Sequence, residues 1–131
     1  MKKLGKYLSV GLIIMMLVTA CMTALEVNDF DSSSANRLDP LVSDYEIKKD
    51  QLLVFSGRYT VDGKVYTEIS CSDPTVAELV LTDRISPVNG ENEGLTDFYF
   101  ETKKRGSCII TAKEFDNAKQ TAEFIFHVRV R

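Results

Sequence analysis

Alternation of apolar and polar residues at the C-terminal end of the chain is the feature that most constrains its fold. From Gln120 to Arg131 every second side chain is apolar, and the residues between them are mostly polar. A period of two is the geometry of a strand, and one apolar face beside one polar face is typical of an antiparallel sheet solvated on one side. The predicted inward set is Ala122, Phe124, Phe126, Val128 and Val130.

Shorter runs of the same kind precede this one and are separated by turn residues. Asp62-Gly63, between two of the runs, favours a tight hairpin because both residues tolerate a positive φ. About seven short runs, without a convincing amphipathic helix, predict an all-β antiparallel β-sandwich. The earlier runs are Asp44–Lys48, Gln51–Thr60, Lys64–Ser72, Val76–Leu81, Thr96–Thr102 and Ser107–Glu114.

Composition narrows the classes of function. The chain of 131 residues is 44% hydrophobic and 27% charged, which is too apolar for a disordered protein and too polar for several membrane spans. A formal net charge of -3 argues against a nucleic-acid partner, since nucleic-acid binders normally carry a basic surface. We expect no cofactor either, because one histidine and three cysteines leave little material for a metal or nucleophile site.

The N-terminus has the layout of an export signal. Three lysines lie within Met1–Lys6, and the uncharged stretch Tyr7–Leu25 follows with an apolar centre. Val18-Thr19-Ala20-Cys21 resembles the bacterial lipobox, in which an aliphatic residue and two small residues precede a cysteine. The resemblance implies that residues 1–20 are a lipoprotein signal peptide and that Cys21 is acylated. The protein would then be anchored by lipid in the cell membrane or outer membrane, facing outside the cytoplasm.

Two alternatives to the lipoprotein remain open. The stretch Tyr7–Leu25 could stay as an uncleaved membrane anchor, or an ordinary signal peptidase could cut after Ala24. All three readings export the remainder of the chain. Residues 21–43 are polar and lack periodicity, which predicts the lipidated cysteine and a flexible tether, and residues 44–131 are predicted as the sandwich.

Two motifs in the predicted sandwich resemble a known family. Ile69–Ala77 (ISCSDPTVA) and Gly106–Ala112 (GSCIITA) resemble, in this order, two strands of bacterial immunoglobulin-like domains of group 2, and Phe124–Val130 resembles the family's last strand. The resemblance implies an immunoglobulin-like sandwich. In that family's topology the strands that carry Cys71 and Cys108 are neighbours in one sheet, so a disulfide between the two cysteines is geometrically possible. The alternative is that both remain small, reduced, buried residues.

The long polar connection Asp83–Gly94 is the predicted contact surface, because binding residues usually lie on loops held by a rigid scaffold. Its candidate binding residues are Asn89, Glu91, Asn92 and Glu93. Their spacing matches no EF-hand loop, so we expect no metal there. His127 falls on the polar face of the last run with no nucleophile or carboxylate motif aimed at it, so we assign no catalytic residue.

These features together favour a lipid-anchored binding or structural module without catalytic activity. Its partners would be the membrane, through the lipid, and an envelope or extracellular protein or polysaccharide. The alternative function is an immunoglobulin-like inhibitor of an exported protease, as in the chagasin family. The Asn-Pro-Thr-Thr-Gly, Gly-x-Gly-Gly and Arg-Pro-Trp loops of that family are absent from this sequence.

Overall fold

The computed structural model describes residues 34–87 and 90–131. In these two ranges the chain forms two four-stranded sheets, ordered β1-β3-β6-β5 and β2-β8-β7-β4. The two short strands β1 and β2 pair in parallel with β3 and β8, and every other pairing is antiparallel. No helix within the described part of the chain is long and apolar enough to cross a membrane. The strands are β1 (Asn36–Arg37), β2 (Asp44–Ile47), β3 (Leu52–Thr60), β4 (Val65–Cys71), β5 (Ala77–Ile85), β6 (Glu93–Thr102), β7 (Gly106–Asp116) and β8 (Lys119–Val130).

The predicted all-β sandwich is confirmed, with eight strands where the sequence predicts about seven. The alternation in β8 has the predicted sense, since Phe126, Val128 and Val130 are buried while the residues between them are exposed. The inner faces of both sheets meet in one apolar core. Its members include Leu53, Phe55, Phe98, Phe100, Cys108, Ile110, Ala112, Phe126 and Val128.

The sandwich begins before the predicted boundary at residue 44. Ser34–Arg131 form one compact unit, and Leu38, which the sequence places in the tether, is only 2% exposed in the core. The Leu38 amide donates to the Val54 carbonyl oxygen at 2.8 Å and so extends the pairing of β1 with β3. A single leucine in a polar stretch carries no periodicity, which is why the sequence pattern does not reveal this strand.

The connection between β5 and β6 is shorter than the predicted Asp83–Gly94. Asp83, Arg84 and Ile85 pair with β6, and Glu93 and Gly94 already belong to that strand. Only residues 86–92 therefore lie between the two strands. β5 pairs on one side alone, and an edge strand accommodates polar residues that sequence reasoning assigns to a loop.

Gly94 occupies a place where a side chain does not fit. A Cβ at this position would lie 2.7 Å from the Ile85 carbonyl oxygen and 2.7 Å from the Tyr59 ring, whose hydroxyl donates to that same carbonyl at 3.0 Å. We expect Gly94→Ala to lower the free energy of unfolding by about 1–3 kcal/mol, because the backbone must move to relieve the overlap.

Urea denaturation measures this loss. The control is Ser86→Ala at an exposed position of the adjacent connection, which is expected to change stability by no more than about 0.5 kcal/mol. Equal midpoints for Gly94→Ala and Ser86→Ala would contradict the close approach at Gly94.

Candidate binding surface at one end of the sandwich

Three connections lie at the same end of the sandwich. β3 and β5 both run antiparallel to β6, so both end beside the start of β6. β4 starts at this same end, directly after β3. Because β7 runs antiparallel to β4, β7 also ends there. The turns β3–β4 and β7–β8 and the connection β5–β6 thus share one end. We call it the loop end, and it consists of residues 61–64, 86–92 and 117–118.

The β3–β4 turn is held by the Asp62 carboxylate. Its Oδ1 accepts a hydrogen bond from the Thr60 hydroxyl at 2.6 Å and another from the Lys64 amide at 3.0 Å. Gly63 has a φ of 80°. The predicted tight hairpin is wrong, however, because residues 61–64 carry the chain from one sheet to the other and β3 does not pair with β4. The hydrogen bond from Thr60, followed by that from Lys64, lowers the pKa of Asp62 below its ordinary value. The carboxylate therefore stays ionised at neutral pH.

Hydrogen bonds join this turn to both neighbouring connections. The Val61 amide donates to the Asn92 carbonyl oxygen at 2.9 Å, and the Asn92 side-chain amide donates to Asp62 Oδ2 at 3.3 Å. On the other side, the Asn117 amide donates to the Lys64 carbonyl oxygen at 3.0 Å. These bonds join the β3–β4 turn to Asn92 on one side and to the β7–β8 turn on the other.

An arginine links the two sheets beneath this surface. Arg58 Nε donates to Glu93 Oε1 at 2.6 Å and Arg58 Nη1 donates to Glu114 Oε1 at 3.0 Å. The hydrogen bond to Glu93 is the main cause that raises the pKa of Arg58, against a smaller opposing effect of burial. Glu93 comes from the first sheet and Glu114 from the second, so the arginine ties the sheets together near the loop end.

Three of the four predicted binding residues lie together here. Glu91 and Asn92 are exposed in the β5–β6 connection, and exposed Glu93 begins β6; Asn89 lies outside the described residues. Sequence reasoning missed Val61, which is 67% exposed beside Asn92. Its signal in the sequence was an aliphatic residue directly before Asp62-Gly63, where a polar residue is usual.

The predicted cysteines fall in different parts of the chain. Cys21, with the rest of the predicted lipobox, lies outside the described residues. Cys71 at the end of β4 and Cys108 in β7 lie on neighbouring strands, and both thiols are free in this structure. The disulfide between them stays a prediction.

Two other polar residues, His127 and Lys103, lie outside the loop end. His127 is exposed on the outer face of the second sheet, where it shares a shallow groove of ≈580 Å³ with charged residues of both signs. At the end opposite the loop end, Lys103 Nζ lies 3.1 Å from Glu78 Oε2 and 3.4 Å from Glu101 Oε1. Within residues 34–87 and 90–131, no group of three His, Cys, Asp or Glu side chains could hold a metal ion.

Comparison with known proteins identifies the fold of the chain but not its family. No protein-family model matches the chain, and no curated protein matches it. Among solved structures, it is similar to the cysteine protease inhibitor EhICP2 from Entamoeba histolytica, with 10% identity and a TM-score of 0.62 over 74% of this chain and 96% of that one.

Two further solved structures align with this chain. Amebosin aligns with 11% identity and a TM-score of 0.55 over 74% of this chain and 96% of that one. Domains 4 and 5 of the S-layer protein SbsC align with 16% identity and a TM-score of 0.43 over 68% of this chain and 47% of that one. At the identities of EhICP2 and amebosin the likeness concerns the fold alone, and the chain is an immunoglobulin-like β-sandwich of the architecture that a cysteine protease inhibitor shares.

Proposed function

We propose that this domain is a non-catalytic binding module that inhibits an exported cysteine protease through its loop end. The observation that carries the proposal is the likeness to EhICP2, which extends over 96% of that inhibitor. The likeness thus includes the whole sandwich of the inhibitor rather than a shared hairpin. It favours the inhibitor over a purely structural module.

The loop end has the physical properties that an inhibitor needs. The backbone is already held by hydrogen bonds at Val61, Asn92 and Asn117, so ordering these three positions would cost little conformational entropy on binding. Exposed Val61 offers an aliphatic contact between polar neighbours, and Asp62 and Glu91 add negative charge around it. A small apolar centre with a polar rim is the usual anatomy of a protein interface.

The contacts must differ from those of the chagasin family, whose three loop motifs this sequence lacks. Here the β3–β4 turn contains Val61-Asp62-Gly63, and the β7–β8 turn has only Asn117-Ala118 between its strands. The longest connection at this end is 86–92. We therefore assign the main contacts to Val61 and to the β5–β6 connection.

Inhibition assays with papain-like cysteine proteases and a fluorogenic peptide test the proposal. We expect Val61→Asp to raise the inhibition constant about tenfold or more, since a buried interface contact worth about 1.4 kcal/mol is lost. A second variant, with residues 87–91 replaced by a Gly/Ser segment, is expected to keep its melting temperature within a few degrees and to lose inhibition.

Leu41→Asp is the matched control. Leu41 is 93% exposed in the crossing between β1 and β2, outside the loop end, so this change introduces the same charge at another exposed aliphatic residue. Inhibition that falls equally in Val61→Asp and Leu41→Asp would contradict the assignment of the surface. Failure of the unmodified protein to inhibit any protease of this class would contradict the proposed function.

The lipobox favours a second candidate function. A lipoprotein anchored through Cys21 in the cell membrane or outer membrane could bind an envelope protein or polysaccharide without inhibiting anything. Two acyl chains on Cys21 would hold it stably, because one chain alone binds a bilayer only marginally. Two results together would favour this function: a cross-link between the loop end and an envelope component in intact cells, and no inhibition of any protease that is assayed.

A further inference from the structure

We propose that Cys71 and Cys108 form a redox-responsive disulfide in which Cys71 reacts first with an external disulfide and Cys108 closes the bridge. The proposal is independent of the partner bound at the loop end. It rests on the pairing of β4 with β7, which places both cysteines on one face of the sheet, and on the difference in burial of the two thiols.

The sheet register places the two cysteines on one face. Cys71 lies opposite Ile110, and Cys108 lies two positions before Ile110 on the same strand, so both point into the sandwich. Ile110 is fully buried and Cys108 is 4% exposed. The two cysteines are therefore diagonal neighbours across a single strand pair.

Hydrogen bonds beside the pair hold β4 against β7. The Ser72 amide donates to the Ile109 carbonyl oxygen at 2.9 Å, and the Ile109 amide donates to the Ser72 hydroxyl at 2.8 Å. Ser72 follows Cys71 directly and Ile109 follows Cys108 directly. These two bonds hold β4 beside β7 one residue beyond each cysteine.

The two thiols differ in pKa and in exposure, and a stepwise thiol–disulfide exchange requires such a difference. The neighbouring Cys108 thiol lowers the pKa of Cys71 to about 7 although burial acts in the opposite direction, and the Cys71 thiol donates to the Asp73 carbonyl oxygen at 3.5 Å. Cys71, together with burial, raises the pKa of Cys108. Cys71 is also the more exposed of the two. A thiolate is the attacking species in thiol–disulfide exchange, so Cys71 is the thiol that meets the oxidant.

The reaction balances with a small disulfide such as oxidised glutathione as the oxidant. The Cys71 thiolate attacks one glutathione sulfur, which forms a mixed disulfide and releases one glutathione thiolate. The negative charge at Cys71 is then gone, and it no longer raises the pKa of Cys108. Cys108 loses that proton to solvent, attacks Cys71 sulfur and releases the second glutathione. The protein loses two electrons and two protons, and the glutathione disulfide is reduced to two thiols.

The bridge is expected to respond to redox conditions rather than to be permanent. Diagonal neighbours on an antiparallel pair have Cα atoms about 7–8 Å apart, whereas disulfides usually span about 4.4–6.8 Å. Closing the bridge therefore draws the end of β4 toward β7. A bridge formed under such strain is more easily reduced than a relaxed one.

Mass spectrometry of the full chain carrying Cys21→Ser tests the proposal, because only two cysteines then remain. With oxidised glutathione we expect a product lighter by two hydrogen atoms, a 71–108 cross-link in the peptide map, and its loss with dithiothreitol. In the same background, Cys108→Ser is expected to stop at a glutathione adduct on Cys71, whereas Cys71→Ser leaves the buried Cys108 unmodified.

Three outcomes would overturn the proposal. One is a stable glutathione adduct on Cys71 while Cys108 is present, and another is full alkylation of both thiols after oxidation. The third is modification of Cys108 in Cys71→Ser as fast as that of Cys71 in Cys108→Ser, which would reverse the assigned order. Should Cys108→Ser unfold, Cys108→Ala removes the sulfur without burying a hydroxyl and gives the same readout.

Discussion

Phe126→Ala is expected to lower the free energy of unfolding by about 3–5 kcal/mol, because it leaves a cavity at the centre of the sandwich. Phe126 is 1% exposed. Its ring lies 5.5 Å from that of Phe55 in the opposite sheet and 6.0 Å from that of Tyr45, edge to face. The substitution therefore removes contacts within the second sheet and between the two sheets at once. Urea denaturation of the wild type and the variant measures the loss.

Ile125→Ala is the control for Phe126→Ala. Ile125 is the preceding residue on the same strand, but it points to the outer face and is 43% exposed. Its truncation is expected to cost no more than about 1 kcal/mol, since little buried volume is removed. Equal losses at the two positions would mean that the outer face of β8 is covered by another part of the chain or by a partner.

Cys21→Ser is expected to abolish lipid attachment completely. The lipobox resemblance assigns the thioether to the Cys21 sulfur, and a serine hydroxyl cannot form that bond. Growth with an alkyne fatty acid, followed by coupling to a fluorophore, would show a labelled wild-type protein and an unlabelled variant that keeps its signal peptide.

Cys71→Ser is the matched control for Cys21→Ser, because it removes a sulfur from the sandwich and leaves the predicted lipobox, residues 18–21, unchanged. It should be labelled like the wild type. Strong labelling of Cys21→Ser would contradict the lipobox assignment and leave the uncleaved anchor or ordinary secretion to explain export.

The strands with strict alternation were the part of the fold that sequence reasoning could predict well. In β8 the inward residues, among them Phe126 and Val128, repeat every second position, and a strand with one buried face imposes that period directly. A change of chain direction at Asp62-Gly63 was predictable for a similarly local reason, since Gly63 adopts a φ of 80°; the predicted hairpin was wrong, because β3 and β4 lie in different sheets. Both inferences depend on neighbours in sequence only.

The short strand β1 and the bounds of the β5–β6 connection were not predictable in this way. Leu38 is buried because the chain crosses from one sheet to the other beside Val54, and one leucine gives no period to recognise. Asp83 and Arg84 pair with β6 in an edge strand whose polar composition resembles that of a loop. In both places the partner strand decides the structure.

For the candidate site, the sequence alone determined that an exposed acidic and amide-rich segment, Glu91–Glu93, follows a turn, because those residue types lie at the surface in almost any fold. Only the tertiary structure decided that this segment meets the Asp62 turn, through the bonds between Asn92 and residues 61–62. The same holds for Arg58, which reaches Glu114 of the other sheet, and for the hydrogen bonds between Ser72 and Ile109. These contacts join residues 30 or more positions apart, and their existence depends on how the sheets pack, which no local pattern encodes.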